Sequence, residues 1–291
     1  MMHISLNTCV LVGHPMIQLG FAYEFDSREM ATEALSLTAT QYNYLHKYSD
    51  DPAYTRKAPF SSTSPLELLN KLASDSRFDK FFDSPGYQNI DPLFEKHESL
   101  ILEYWNAWEI QADPLKQFQE SQEAAVALLV ATVAPGAHNY NFFVCHVLTT
   151  SHAARILFPF LPAKYHVSLV RQWWLLTLAV YIAVLRPKID PDYVSGDLKG
   201  KGWKYVEDKA LTGPYCTDAH YVKGECNPSY CVKTKSSSFA NMCSFQLFGR
   251  CRRCPRLGVT FTRGILLLQS GLRMILPGGF KKKKIKRYEF Y

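Results

Sequence analysis

Histidine is absent after residue 220, and only Glu225 and Glu289 carry negative charge after residue 223. Cysteine is almost absent earlier, where Cys9 and Cys145 are the only two before residue 216. No disulfide framework therefore spans the chain, and residues 1–223 read as intracellular. Met1 to Val12 lacks a basic n-region and falls short of a secretory signal. The most apolar run, Trp173 to Leu185 between Arg171 and Arg186, is shorter than the roughly 18–20 residues of a membrane span and reads as a buried helix. No phosphate-binding P-loop, Gly-x-Ser-x-Gly elbow or His-Glu-x-x-His occurs, so the common nucleotidase and hydrolase readings lack their residues. Alternating apolar and polar runs bounded by turn signals are missing before residue 224, which argues against a sheet.

What is present is a core. The 291 residues are 47% hydrophobic and 14% aromatic, far too apolar for a disordered chain. Charge is divided: residues 1–223 hold 19 Lys+Arg against 24 Asp+Glu, whereas the last 68 hold 14 against 2. The body is mildly acidic, so bulk cationic charge is not how it binds anything, and no nucleic-acid partner is expected. Helix starts recur. Asp26-Ser27-Arg28-Glu29 has capping-box spacing, and Ala31, Leu35, Thr38, Tyr42 and Leu45 follow at helical intervals. Ser64-Pro65, Asp91-Pro92 and Asp113-Pro114 each place proline where a helix begins, and Pro135-Gly136 should stop the third. Two more helices are predicted at roughly 140–158 and 165–186, followed by a long glycine-bearing loop from Asp190 to Gly202. The fold class is thus all-α: an irregular helical bundle over residues 14–223, with Leu66, Leu69, Trp105, Leu128, Ile156, Leu175 and Leu178 buried. Residues 1–13 form an unmatched leading segment, and residues 224–291 a basic, cysteine-rich, poorly ordered tail that is not expected to be a domain.

Histidine is the lead to chemistry. His146, His152 and His220 fall in segments predicted helical and buried. His146 and His152 are 600° apart at 100° per residue, so they point about 120° away from each other and cannot form a two-histidine motif on one face. Each also admits a plain core reading, a ring bonded to a backbone carbonyl. His220 and Lys223 share a face at i,i+3, with Asp218 before them. Trp105, Trp108, Trp173 and Trp174 read either as core or as the lining of a pocket for a flat ligand.

Several segments closely resemble the questin oxidase-like family of fungal secondary metabolism. They run from Gly13-His14-Pro15-Met16-Ile17-Gln18 to Phe25, from His146-Val147-Leu148-Thr149-Thr150-Ser151-His152 to Arg155, from Leu161 to His166, and from Val170 to Leu176. Lys204 to Leu211 and Thr217-Asp218-Ala219-His220-Tyr221-Val222-Lys223 complete the set. The resemblance implies an oxidoreductase, a monooxygenase that opens an anthraquinone-like aromatic polyketide by Baeyer–Villiger-type oxygen insertion or ring cleavage. It implies NADPH and O2 as cofactors, with non-haem iron in related ring-cleaving enzymes. Carried over by position, His152, His220 and Lys223 are the catalytic candidates, and His14, His152, His220 and Lys223 the metal candidates. Gln18 stands where the family commonly has a second histidine. A rival reading from another class is an inactive remnant or helical interaction module without bound metal, because the resemblance implies truncation at both ends.

The tail carries Cys251-Arg252-Arg253-Cys254, half of a zinc site whose other half is missing, and a Lys281–Arg287 cluster. Gly224-Glu225-Cys226 can be encoded GGT GAG TGT, similar to the start of a fungal intron, so residues 224–291 are read as translated intron followed by a shifted frame. A chain ending at Lys223 is therefore expected to melt at the temperature of the whole chain, measured by circular dichroism. A zinc-dependent unfolding step abolished by Cys251→Ser with Cys254→Ser would show that the tail is a metal-bound domain.

Overall fold

Short polar side chains start four of the described α-helices. The hydroxyl of Ser27 accepts from the N–H of Met30, that of Ser64 from Glu67, and the carboxylate of Asp113 from Lys116, while the Asn141 amide oxygen accepts from both Phe143 and Val144. In this computed structural model, which describes residues 13–41, 44–134, 140–194, 203–218 and Val222, those caps open α2 (Arg28–Thr40), α4 (Pro65–Ala73), α6 (Pro114–Val130) and α7 (Phe142–Leu157). The remaining α-helices are α1 (His14–Glu24), α3 (Lys47–Asp50), α5 (Ile90–Ala107), α8 (His166–Ala183) and α9 (Trp203–Thr212), joined in places by single 3-10 turns. Among the described residues the only extended pairing is an isolated bridge between Ser62 and Trp108, so the all-α expectation holds.

The boundaries moved for identifiable reasons. The cap of α2 is Ser27 rather than Asp26, because Asp26 takes a left-handed φ of 52° and turns the chain out of α1. α2 buries Ala34 and leaves Leu35 45% exposed, so its inner face is one residue away from the predicted line: the small side chain lets α2 close on α1. α5 begins at Ile90, one residue before Asp91-Pro92, because a 3-10 turn over Tyr87–Asn89 feeds into it. It is kinked at His97 (φ −132°, ψ 22°), whose ring lies flat on Phe81 at 3.5 Å. α6 ends at Val130, before Pro135-Gly136 is reached; that dipeptide and most of the predicted Asp190–Gly202 loop lie outside the described residues. α8 ends at Ala183 instead of 186. Leu185 and Arg186 both adopt left-handed φ, which lets the Arg186 N–H donate back to the Tyr181 carbonyl. The Arg186 guanidinium then donates to the carbonyls of Leu72, in the last turn of α4, and Asp75, just past it. These bonds offset the strain of two non-glycine residues in that region.

The bundle is organised about α7 and α8. From Leu169 to Ala183 every residue of α8 except Arg171 is buried, as expected of a helix that is apolar all round, and it packs on α5, α6 and α7. α7 has α8 on one side and α1 on another, with α2 beyond α1. The tryptophans are core: Trp105, Trp108, Trp173 and Trp174 are each at most 1% exposed, and the Trp108 ring lies 6.0 and 5.4 Å from those of Trp173 and Trp174. Every one of the four indole N–H groups donates to a backbone carbonyl, those of Arg171, Thr63, Val147 and Tyr104. Leu69, Leu128, Leu175 and Leu178 are buried as predicted. Leu66 and Ile156 are only half-buried, because each lies at the margin of its helix's packed face. No described helix is long and apolar enough to cross a membrane.

α1 meets α7 at a glycine. A Cβ placed on Gly20 would lie 2.6 Å from the Ala153 Cβ and 2.7 Å from its Cα, with no flexible side chain to give way. Gly20→Ala is expected to destabilise the fold by about 1–3 kcal/mol through overpacking, read from urea denaturation. Ala153→Gly on that background should recover little of it, because the new Cβ still lies 2.7 Å from the Cα of residue 153; a Gly20→Ala variant as stable as the wild type would show that the helices are not held by this contact.

Candidate functional site

Two side-chain pairs cross from α1 to α7, and along α1 they fall on either side of Gly20. The first is His14 with His146. α1 opens on Gly13 at a left-handed φ of 85°, with Pro15 in its first turn, and this places His14, half-buried, at the head of the helix. The Asn141 cap fixes the start of α7, so His146 falls one turn inside and is 2% exposed. Its Nδ1 is 2.8 Å from the Phe142 carbonyl and must donate to it. That bond leaves the Nε2 of a neutral His146 with its lone pair outward, 3.3 Å from the Nε2 of His14. The rings meet edge to face, with centroids 4.8 Å apart. The core reading of His146 is thus half right: one nitrogen serves a backbone carbonyl and the other faces a second imidazole.

The second pair is Glu24 with His152. His152 is 3% exposed, its Nε2 is 3.0 Å from the Glu24 carboxylate, and Arg155 Nη2 donates to its Nδ1 at 2.9 Å. An Nδ1 that accepts from a guanidinium carries no proton, so the ring is the Nε2–H tautomer donating to Glu24. Burial pushes the imidazole below its ordinary value of 6.5, with the Arg155 charge acting in the same direction and Glu24 opposing both. Both nitrogens of His152 are therefore engaged. It lies six residues, about 9 Å of helix rise, beyond His146. Between the two pairs, the hydroxyls of Thr149 and Thr150 donate to the His146 carbonyl and that of Ser151 to Leu148, so these buried groups are tied to their own helix.

Two nitrogens 3.3 Å apart match a shared-proton contact, and equally two imidazole ligands on one metal ion at about 2.0–2.1 Å from each. Among the described residues no group of three or more His, Cys, Asp or Glu is placed to hold a metal. His220 and Lys223 lie outside the described residues; the nearby Val222 N–H donates to the Asp218 carbonyl at 3.1 Å in helical fashion. Of the four residues expected to share a metal, the structure brings His14 to His146, and His152 to Glu24 and Arg155. Gln18 is buried one turn along α1 from His14.

A family model described as Questin oxidase-like matches residues 6–224. The chain belongs to the questin oxidase-like family. No curated protein matches it. Membership supports an oxidoreductase of secondary metabolism with a small-molecule substrate. The matched span contains both α1–α7 pairs, together with His220 and Lys223.

His146 is the site residue that spacing missed. It was correctly separated from His152, but its partner comes from 132 residues earlier in the chain, a pairing that no local periodicity reveals. Glu24 lies at the end of the Gly13–Phe25 segment, and no spacing marks it as a partner of His152.

The lowered value of His152 has a thermodynamic consequence. Above about pH 6.5 the imidazole is neutral in both the folded and unfolded chain, and its full contribution is present. As pH falls below that, the unfolded chain takes up a proton that the buried ring refuses, and stability is lost down to the folded value. His152→Gln is expected to flatten the fall in urea midpoint between about pH 7 and pH 5. An unchanged slope would assign the acid loss to other groups.

Proposed function

We propose that the chain oxidises an anthraquinone-like polycyclic aromatic compound with O2, by Baeyer–Villiger-type oxygen insertion or ring cleavage, at a non-haem iron held by His14 and His146. His220 and Lys223 complete the ligand set in this reading, the lysine as its deprotonated or carbamylated form. The observation that carries it is the 3.3 Å separation of the two Nε2 atoms, with the tautomer of His146 fixed by the Phe142 carbonyl. Imidazole nitrogen suits iron, and a carbonyl bonded to the far ring nitrogen is the usual way of orienting such a ligand. Iron bound there would supply the activation of O2 that a closed-shell aromatic substrate needs.

The protein's own contribution is positioning. His146 is held from behind by Phe142, and His14 is set opposite it by the close crossing of α1 and α7. His14 itself is half-buried. His152, engaged at both nitrogens, locks the far end of α1 against α7 and keeps the pair in register. NADPH belongs to the family resemblance alone. The described residues contain no strand, glycine turn and helix that would cradle its pyrophosphate, and no step is assigned to it.

Metal analysis of the purified chain, followed by oxygen uptake with a hydroxyanthraquinone in the presence and absence of NADPH, tests this reading. His14→Ala and His146→Ala are each expected to lower bound iron by about tenfold or more, with turnover lost in parallel, whereas His152→Gln keeps the metal. A wild-type chain with neither iron nor turnover would instead favour a metal-free helical interaction module.

A further inference from the structure

Phe142, the first residue of α7, has two ends with different surroundings. Its carbonyl accepts the Nδ1–H of His146, and its ring meets the His146 ring edge to face with centroids 4.8 Å apart at 66°. Phe143 stands against the same ring at 5.5 Å and 82°, and Phe143 in turn stacks on Tyr87 at 6.3 Å and 26°. The line of rings leads straight to the histidine pair. It is not withdrawn into the core, although α7 from Val144 to Ala154 is entirely buried: Phe142 is 50% exposed, Tyr87 39%, and Tyr140 two residues upstream 58%.

Single exposed aromatics are ordinary surface, but rings contiguous with one another and with a buried histidine are not scattered. Rings turned at successive angles offer both faces and edges, the two arrangements in which aromatic groups attract beyond simple burial. An aliphatic molecule would gain only the burial.

We propose that the Phe142 ring is the shelf on which the planar part of the substrate lies, and that it selects fused, flat aromatic ligands with an oxygen substituent on the edge facing His14 and His146. This deepens the oxidase reading and rests on it. Phe142 is then a specificity-determining residue whose ring acts on the ligand while its carbonyl, present in every variant, continues to orient His146.

The test uses the full chain, titrated with a hydroxyanthraquinone and, for comparison, with a saturated tricyclic alcohol of similar size, each followed by tryptophan fluorescence. Phe142→Ala is expected to weaken both ligands through the burial it removes, and the hydroxyanthraquinone by about fivefold more than the saturated ligand. Phe142→Leu, which keeps apolar bulk without a ring face, should resemble Phe142→Ala, and Phe142→Trp should resemble the wild type. Circular dichroism confirms that each variant is folded. The shelf is overturned if Phe142→Leu binds the flat ligand as well as the wild type, if both ligands weaken equally, or if the wild-type chain does not bind the hydroxyanthraquinone. Binding that depends on Phe142 without oxygen uptake would sustain the shelf and sink the oxidase reading. Uptake unaffected by Phe142→Ala would do the reverse.

Discussion

The approach of α1 to α7 at Gly20 and Ala153 governs everything that happens on the functional side of the molecule. A helix pair can close this far only where one partner has no Cβ, and here the missing atom would sit within 2.7 Å of the Ala153 backbone. His14 lies six residues before Gly20 and Glu24 four after it, about 9 and 6 Å along the axis. Both cross-helix pairs are thus levered from the same fulcrum. A wider separation of the axes would strain both the 3.3 Å contact of His14 with His146 and the 3.0 Å contact of His152 with Glu24. The two pairs divide their labour chemically. One leaves two nitrogens facing each other at ligand spacing, and the other closes every nitrogen it has.

The rest of the bundle serves to hold α7 still. α8 lies against it and is buried on nearly all sides, and the tryptophans between α5, α6, α7 and α8 supply most of the bulk. Large aromatics with a polar N–H are costly in a core unless the N–H finds an acceptor. Here each of the four buried indoles bonds a backbone carbonyl on another element, so the groups that fill the space also pin it. Trp173 does this directly to α7 through the Val147 carbonyl, one residue from His146. Arg186 plays the same part elsewhere, where its guanidinium donates to the Leu72 and Asp75 carbonyls at and just past the end of α4.

Much of the fold was legible because its signals are local. Ser64-Pro65 and Asp113-Pro114 name helix starts from side-chain chemistry alone, and the unbroken apolar run of α8 announces a central helix. The misplacements arose where a neighbour overrode the local pattern. Ala34 in place of Leu35 faces inward because α1 is close, and α8 stops at Ala183 because Arg186 is drawn toward α4. Candidate site residues followed the same division. His14 and His152 stood out from the motifs that contain them, whereas His146 read first as a core ring bonded to a backbone carbonyl, because the imidazole it faces belongs to another helix.

Sequence alone determined the helical class, the segments that become helices and the burial of most of their apolar faces, since all of these are written in spacing and composition within a few turns; the family followed from the match of whole motifs along residues 6–224. Only the tertiary structure decided which histidine stands opposite which, the tautomer each ring adopts and the engagement of His152 at both nitrogens. Those depend on distances of about 3 Å between groups more than a hundred residues apart. Such distances are set by how closely two helices can pack, which turns on one absent methyl group and on no periodic feature of the chain.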